Sequence, residues 1–291
     1  MEDALAVKAQ LIAEVEGAAG SRTHGIGQPT LGDFIESWLQ RKIARGDLED
    51  STAERYANDL GHLSERLLSM PIDRVTPDDI ELWMIASREG YSARTINGWR
   101  RTLRTALNAA PGLAVNPAAK VRPLKEAVNL EEPNALRPNE LRRLLCALEA
   151  GDRIIHLAAL TQALTGLRWG EVSALMWSDL DADERILVIR RKAVKGKLKP
   201  TTKTNRGRIV GLPGRIVGEL EGLRQWLEQT RHPGRFSGLL FPSGKGTPIS
   251  SGRISAELRK ARQRAGIGQR FTSHGLRRSM TDMLRMARVD P

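Results

Sequence analysis

Three prolines, Pro117, Pro123 and Pro133, fall in a stretch of little apolar periodicity, and this break constrains the fold of the 291-residue chain more than any other feature. Proline has no backbone N–H to give to a helix or a central strand, so residues 113–133 are expected to form an extended linker. The chain then divides into a segment at 30–112 and a longer one at 134–291. Each is long enough to bury a core of its own. Ahead of them, residues 2–19 have the pattern of a short helix, and 20–29 read as a flexible lead-in that completes an N-terminal tail.

The first segment has a helical pattern throughout. Leu31, Phe34, Ile35, Trp38 and Leu39 recur at the spacing of one apolar stripe, which predicts an amphipathic helix. A second helix is expected from about Ser51 through STAERYANDLGHLSERLL, a third after Thr76-Pro77, and a fourth from about Ser92. In the fourth, Ile96, Trp99, Leu103, Ala106 and Leu107 form the apolar face. Arg94, Arg100, Arg101 and Arg104 fill the remainder with no acid among them. Such a face is either a solvated helix surface or a run of phosphate contacts along a DNA groove.

The second segment opens with helices over PNELRRLLCALEA and DRIIHLAALTQALTG. Strands are expected at 185–190 and 208–212, with the basic run RKAVKGKLKP between them, and helices return at 213–228, 251–265 and from Ser273. The fold class is therefore mainly α with a small antiparallel β-sheet insert. Cys146, in the apolar run LLCAL, is expected to fill a core position, and as the only cysteine it can form no internal disulfide.

Charge narrows the partner. The whole sequence carries +12, but residues 28–110 hold 11 basic and 13 acidic side chains, whereas residues 111–291 hold 33 and 17. A polyanion is the natural partner of the second segment. No apolar run reaches the ~18 residues of a spanning helix, and no signal-peptide pattern opens the chain. The expectation is a cytoplasmic protein, nucleoid-associated when bound, with no membrane partner.

Several chemistries have no motif here. There is no Cys/His cluster for a metal, no HExxH and no nucleophile elbow. The SGKGT at 243–247 lacks the spacing of a phosphate loop and is expected to be a turn. Neither a metal nor an organic cofactor is expected. Three elements remain. Arg168 stands between Gly166 and Gly170 in TGLRWGE, Lys203 lies in KTNRGR, and His274 and Arg277 form H-x-x-R one helical turn apart. Arginine forks bind the oxygens of a phosphodiester bidentately and stabilise added negative charge at phosphorus. A lysine or histidine can protonate a leaving oxygen.

In this order, TGLRWGEVSALMWSDLD, KTNRGRIVGLP and HGLRRSMTDML resemble the motifs of the tyrosine recombinase, or phage integrase, family. The resemblance extends over about 260 of the 291 residues. It implies a helical, SAM-like core-binding domain at 30–112 and a catalytic domain of the DNA breaking-rejoining fold at 134–291. Double-stranded DNA is the implied partner, with a homotetramer on DNA in the complete protein.

The resemblance also implies roles for single residues. Arg168, Lys203, His274 and Arg277 become catalytic, with Lys203 the general acid for the leaving 5′-hydroxyl and Glu171 in support. Lys192, Lys195, Lys197, Lys199, Arg206 and Arg278 join the arginines of the fourth helix as DNA contacts. In such enzymes a tyrosine following H-x-x-R attacks the phosphate and forms a 3′-phosphotyrosyl link. Here the tyrosines are Tyr56 and Tyr91, both in the first segment. The expectation is a recombinase chain that lacks its nucleophile segment and binds DNA without cleaving it. The alternative is a natural tyrosine-less relative that acts as a DNA-binding regulator.

Overall fold

The computed structural model describes residues 29–126, 134–200 and 207–288. They belong to two compact units, one within 1–129 and the other within 130–291. The helix expected at 2–19 lies outside the described residues, as do Lys203 and Arg206.

In the first unit, Thr30 starts α1 (Leu31–Ala44) by accepting a hydrogen bond from the Asp33 N–H, and the helix buries Leu31, Phe34, Ile35 and Trp38. The second expected helix is two: α2 (Asp50–Leu60) ends at Gly61, and α3 (Glu65–Leu68) restarts where the Ser64 hydroxyl accepts from the Leu67 N–H. A serine ready to cap new N–H groups outcompetes helix continuation. Thr76 and Asp79 form a reciprocal capping box on α4 (Pro77–Ala86). The unit's core gathers these helices around α5 (Ala93–Leu107), with Trp83 and Trp99 among its largest side chains.

The proline-bearing stretch departs from the expected linker. Its first part, including the short α6 (Pro117–Lys120), packs into the first unit, with Ala118 and Val121 in the core. Two polar side chains of α5 hold it there. Asn97 donates to the Leu124 carbonyl at 2.9 Å and accepts from the Leu124 N–H at 2.8 Å. Arg100 donates to the carbonyls of Ala118 and Val121 at 3.1 and 3.0 Å. The prolines stop a long helix, yet the backbone between them still needs hydrogen-bond partners, and α5 supplies them.

The second unit begins with α7 (Pro138–Glu149) and α8 (Arg153–Thr165), the latter capped by Asp152. After the short α9 (Trp169–Val172) come β1 (Leu180–Asp181), β2 (Ile186–Ile189), β3 (Arg191–Val194), β4 (Lys197–Pro200) and β5 (Arg208–Gly211). β1, β2 and β5 form an antiparallel sheet in that order, and β3 and β4 form a separate hairpin. The basic run is thus itself structured. Lys195 and Gly196 both take positive φ, 50° and 75°, at its two-residue turn.

Helices α10 (Gly214–Gln229), α11 (Ser251–Arg264) and α12 (Ser273–Met286) complete the unit around a core that includes Leu144, Leu148, Ile155, Leu167, Leu220 and Phe241. Cys146 is exposed rather than buried, because α7 turns Leu144 and Leu148 inward and Cys146 falls on the outer face. Ser243–Thr247 forms a closed turn in which the Ser243 hydroxyl accepts from the N–H groups of Lys245 and Thr247.

Candidate functional site

The site is built where α8 ends. Gly166 caps that helix in the left-handed conformation, φ 63°, which costs a side-chain-bearing residue roughly 1–2 kcal/mol. The chain reverses there and presents Arg168 as the residue that starts α9. The other flanking glycine serves a different need. A Cβ on Gly170 would sit 2.9 Å from the Ala193 carbonyl oxygen, so glycine lets the β3 backbone lie directly against α9.

Glu171, on α9, is buried and is the hub of the cluster. One of its oxygens accepts the Arg168 backbone N–H at 2.8 Å, closing the first turn of α9. Its main ionic partner is Arg208, the first residue of β5, whose Nη1 and Nη2 reach the two carboxylate oxygens at 3.2 and 2.7 Å. Arg168 touches the same carboxylate only marginally, at 3.4 Å, and 65% of its side chain is exposed.

From α12, Arg277 donates to the Gly166 carbonyl, which ties H-x-x-R to the TGLR turn. Burial first, then the nearby Arg168 and Arg208, lower the pKa of the Arg277 guanidinium from its usual value, while Glu171 acts in the opposite sense. Arginine remains charged under such pressure. Two guanidinium groups therefore contact one carboxylate and a third lies within its electrostatic reach, and the excess positive charge fits an anion.

Other expected residues fall around this cluster or away from it. His274 is exposed on the first turn of α12 and makes no hydrogen bond to Arg168, Arg208 or Arg277. Arg278, the next residue after Arg277, is also exposed. On the β3–β4 hairpin Lys192 stands directly across from Lys199, and Lys195 and Lys197 are exposed at and beside the turn.

In the first unit Arg94, Arg101 and Arg104 are exposed on α5, and Arg94 lies 3.4 Å from Glu126. Arg100 corrects the expectation for that helix. It is buried and its guanidinium is occupied by the Ala118 and Val121 carbonyls, so it does not face a groove. Burial, then Arg104 and Arg101, lower its pKa.

Two positions that build this region were not foreseen. Arg208 was legible only as a strand residue. Asp179, buried after α9, accepts from Arg190 at 3.2 Å and from Arg191 at 2.5 Å, and so fixes the root of the β3–β4 hairpin. The basic residues around both gave a signal of charge but not of which acid each would meet. Among the described residues no cluster of His, Cys, Asp or Glu could hold a metal ion, and no helix is long and apolar enough to cross a membrane.

Comparison with known proteins agrees with this architecture. The model of the phage integrase family matches residues 134–291. The chain belongs to that family, the tyrosine recombinases. It is 30% identical over 151 residues to the putative defective protein IntQ of Escherichia coli, covering 50% of this chain and 36% of IntQ. It is 27% identical over 262 residues to the tyrosine recombinase XerC of Xylella fastidiosa, covering 83% of this chain and 79% of XerC. The first curated relatives are longer, and this chain spans only 36% to 56% of their length.

Among solved structures, the fold matches the integrase of transposon Tn1549 in complex with transposon right end DNA, with a TM-score of 0.72 and 21% identity over 89% of this chain and 88% of that one. It also matches lambda integrase in a tetramer bound to a Holliday junction, with a TM-score of 0.69 and 20% identity over 98% and 84% of the two chains.

Proposed function

We propose that this chain is the DNA-binding body of a site-specific recombinase, in which the second unit is the catalytic domain and the first the core-binding domain. Its Arg168, Arg208, Arg277 and Glu171 cluster receives the phosphate at which strands are exchanged. The observation that carries the reading is the exposed Arg168 guanidinium beside a carboxylate already engaged by Arg208. In this reading Arg168 and Arg277 clamp the non-bridging oxygens, and Lys203 and His274 handle the proton of the leaving oxygen. The exposed lysines of the β3–β4 hairpin, Arg206, Arg278, and Arg94, Arg101 and Arg104 of α5 contact the flanking backbone. Assembly of four copies on DNA is part of the same proposal, in line with the lambda integrase tetramer.

Replacing both Arg168 and Arg277 with alanine should weaken duplex binding about a hundredfold while the protein stays folded, since each arginine supplies charge-assisted bonds to phosphate. Unchanged affinity in a fluorescence-anisotropy titration would remove the phosphate site.

A second reading is favoured by the placement of the tyrosines. Tyr56 stacks on Trp38 at 5.7 Å, and Tyr91 packs edge-on against Trp99 at 4.7 Å, so both serve the first unit's aromatic packing. In that reading the arginine cluster holds DNA without cutting it. A nicked duplex that traps a covalent protein–DNA band on a denaturing gel would exclude it. The coding sequence after codon 291 separates the readings in another way: an in-frame His or Trp followed by Tyr favours the recombinase, and a stop codon favours the regulator.

A further inference from the structure

The cluster contains an asymmetry that the phosphate reading does not by itself explain. Glu171 is the only acid touching Arg168 among the described residues, and an i,i+3 acid is the natural trap for a neighbouring guanidinium. Trapping would commit Arg168 to the protein. Instead Arg208 takes both oxygens of the carboxylate, in the two-bond fork that is the strongest arginine–carboxylate geometry. Arg168 is left with one 3.4 Å contact. β5 sets this arrangement, because pairing of Ile189 with Arg208 fixes where that strand begins relative to β2.

We propose that Arg208 is a positioning residue for the phosphate site. By occupying the Glu171 carboxylate it keeps the Arg168 guanidinium uncommitted and open to solvent, ready for a phosphodiester oxygen. The inference rests on the phosphate reading of this cluster and adds a division of labour to it. Glu171 holds the Arg168 backbone through its N–H, Arg208 neutralises Glu171, and Arg168 alone of the three remains for the ligand. Without Arg208, the buried carboxylate would keep only its backbone donor and the long 3.4 Å contact to Arg168, and would draw the Arg168 side chain further inward, because a poorly paired buried charge is costly.

The test uses the 291-residue chain, with orthovanadate as a phosphate-shaped probe followed by vanadium NMR and a duplex followed by anisotropy. Arg208→Ala should weaken both about tenfold, as Arg168→Ala does, if a charge-assisted contact to the ligand is lost through Arg168. Adding Glu171→Gln to Arg208→Ala should restore binding to within about twofold, because the amide oxygen still accepts the Arg168 N–H but no longer captures its guanidinium. Arg208→Lys, which keeps the charge but not the fork, should give an intermediate loss and serves if the alanine variant does not fold.

Two outcomes overturn the proposal. If Arg208→Ala and Arg208→Lys lower the melting temperature but leave binding unchanged, the pair is only a brace. If binding falls and Glu171→Gln does not restore it, Arg208 touches the phosphate itself. Failure of the underlying reading looks different: Arg168→Ala and Arg277→Ala would then leave vanadate and duplex binding intact, and the inference would fall with the site.

Discussion

Arg100 of the first unit lies within a helix and Arg168 of the second starts one, and the two arginines meet opposite fates. Arg100 is buried, and two backbone carbonyls accept from its Nη1. Arg168 keeps 65% of its side chain exposed, because another arginine has taken the acid that would otherwise hold it. The difference shows that an arginine's availability to a ligand depends on whether the protein supplies a better acceptor nearby. Charge density along a helix does not settle that question.

The contrast can be broken at several points. The largest effect is expected at Gly275, the residue after His274. A Cβ there would lie 2.4 Å from Phe271 Cε2 and 2.6 Å from Asn134 Oδ1, so Gly275→Ala must displace those side chains or α12 itself. A loss of about 3 kcal/mol, the upper range for overpacking, is expected in urea unfolding of the second unit. If the variant is as stable as the parent, α12 is not held as described and neither is Arg277.

Arg100→Met should cost the first unit about 2 kcal/mol, since two buried carbonyls lose their charged donor. Duplex affinity of the folded variant should not change. A drop in affinity with no drop in stability would return Arg100 to the DNA-facing set and erase the distinction from Arg168.

The smallest effect separates the units by their response to acid. Burial lowers the His156 pKa below the usual imidazole value of about 6.5, an effect that Glu149 and Glu219 partly offset. The unfolded chain therefore takes up a proton first, and the second unit should lose stability as pH falls below about 6.5, levelling off beneath the folded pKa. In the first unit, the side-chain and backbone hydrogen bonds of Thr76 lower the Asp79 pKa below 3.8. The stability this contributes is present above pH ~3.8 and is lost as pH falls through the lower folded value. His156→Gln should flatten the first response and leave the second. Unfolding curves followed between pH 7 and pH 3 would check both.

Much of the fold was legible because it rests on local rules. The apolar stripe from Leu31 to Trp38, the Thr76-Pro77 start and the β-branched run at Ile186–Ile189 each state a local preference that packing then accepts. Arg168, His274 and Arg277 could be picked out because they recur as a pattern, and the structure does tie Arg277 to the turn before Arg168. Arg208 could not, since its role depends on a carboxylate 37 positions earlier in the chain. The same limit hid the packing of Ala118 and Val121 against α5.

By itself the sequence determined two helical units of unequal charge, a small antiparallel insert and a set of arginines suited to phosphate, because composition, periodicity and capping act between near neighbours. Only the tertiary structure decided which arginines are consumed by the protein and which remain for a ligand. That choice is made by acceptors brought from distant positions: the Ala118 and Val121 carbonyls for Arg100, the Glu171 carboxylate for Arg208. Most buried polar groups find a partner, and the fold determines where that partner stands.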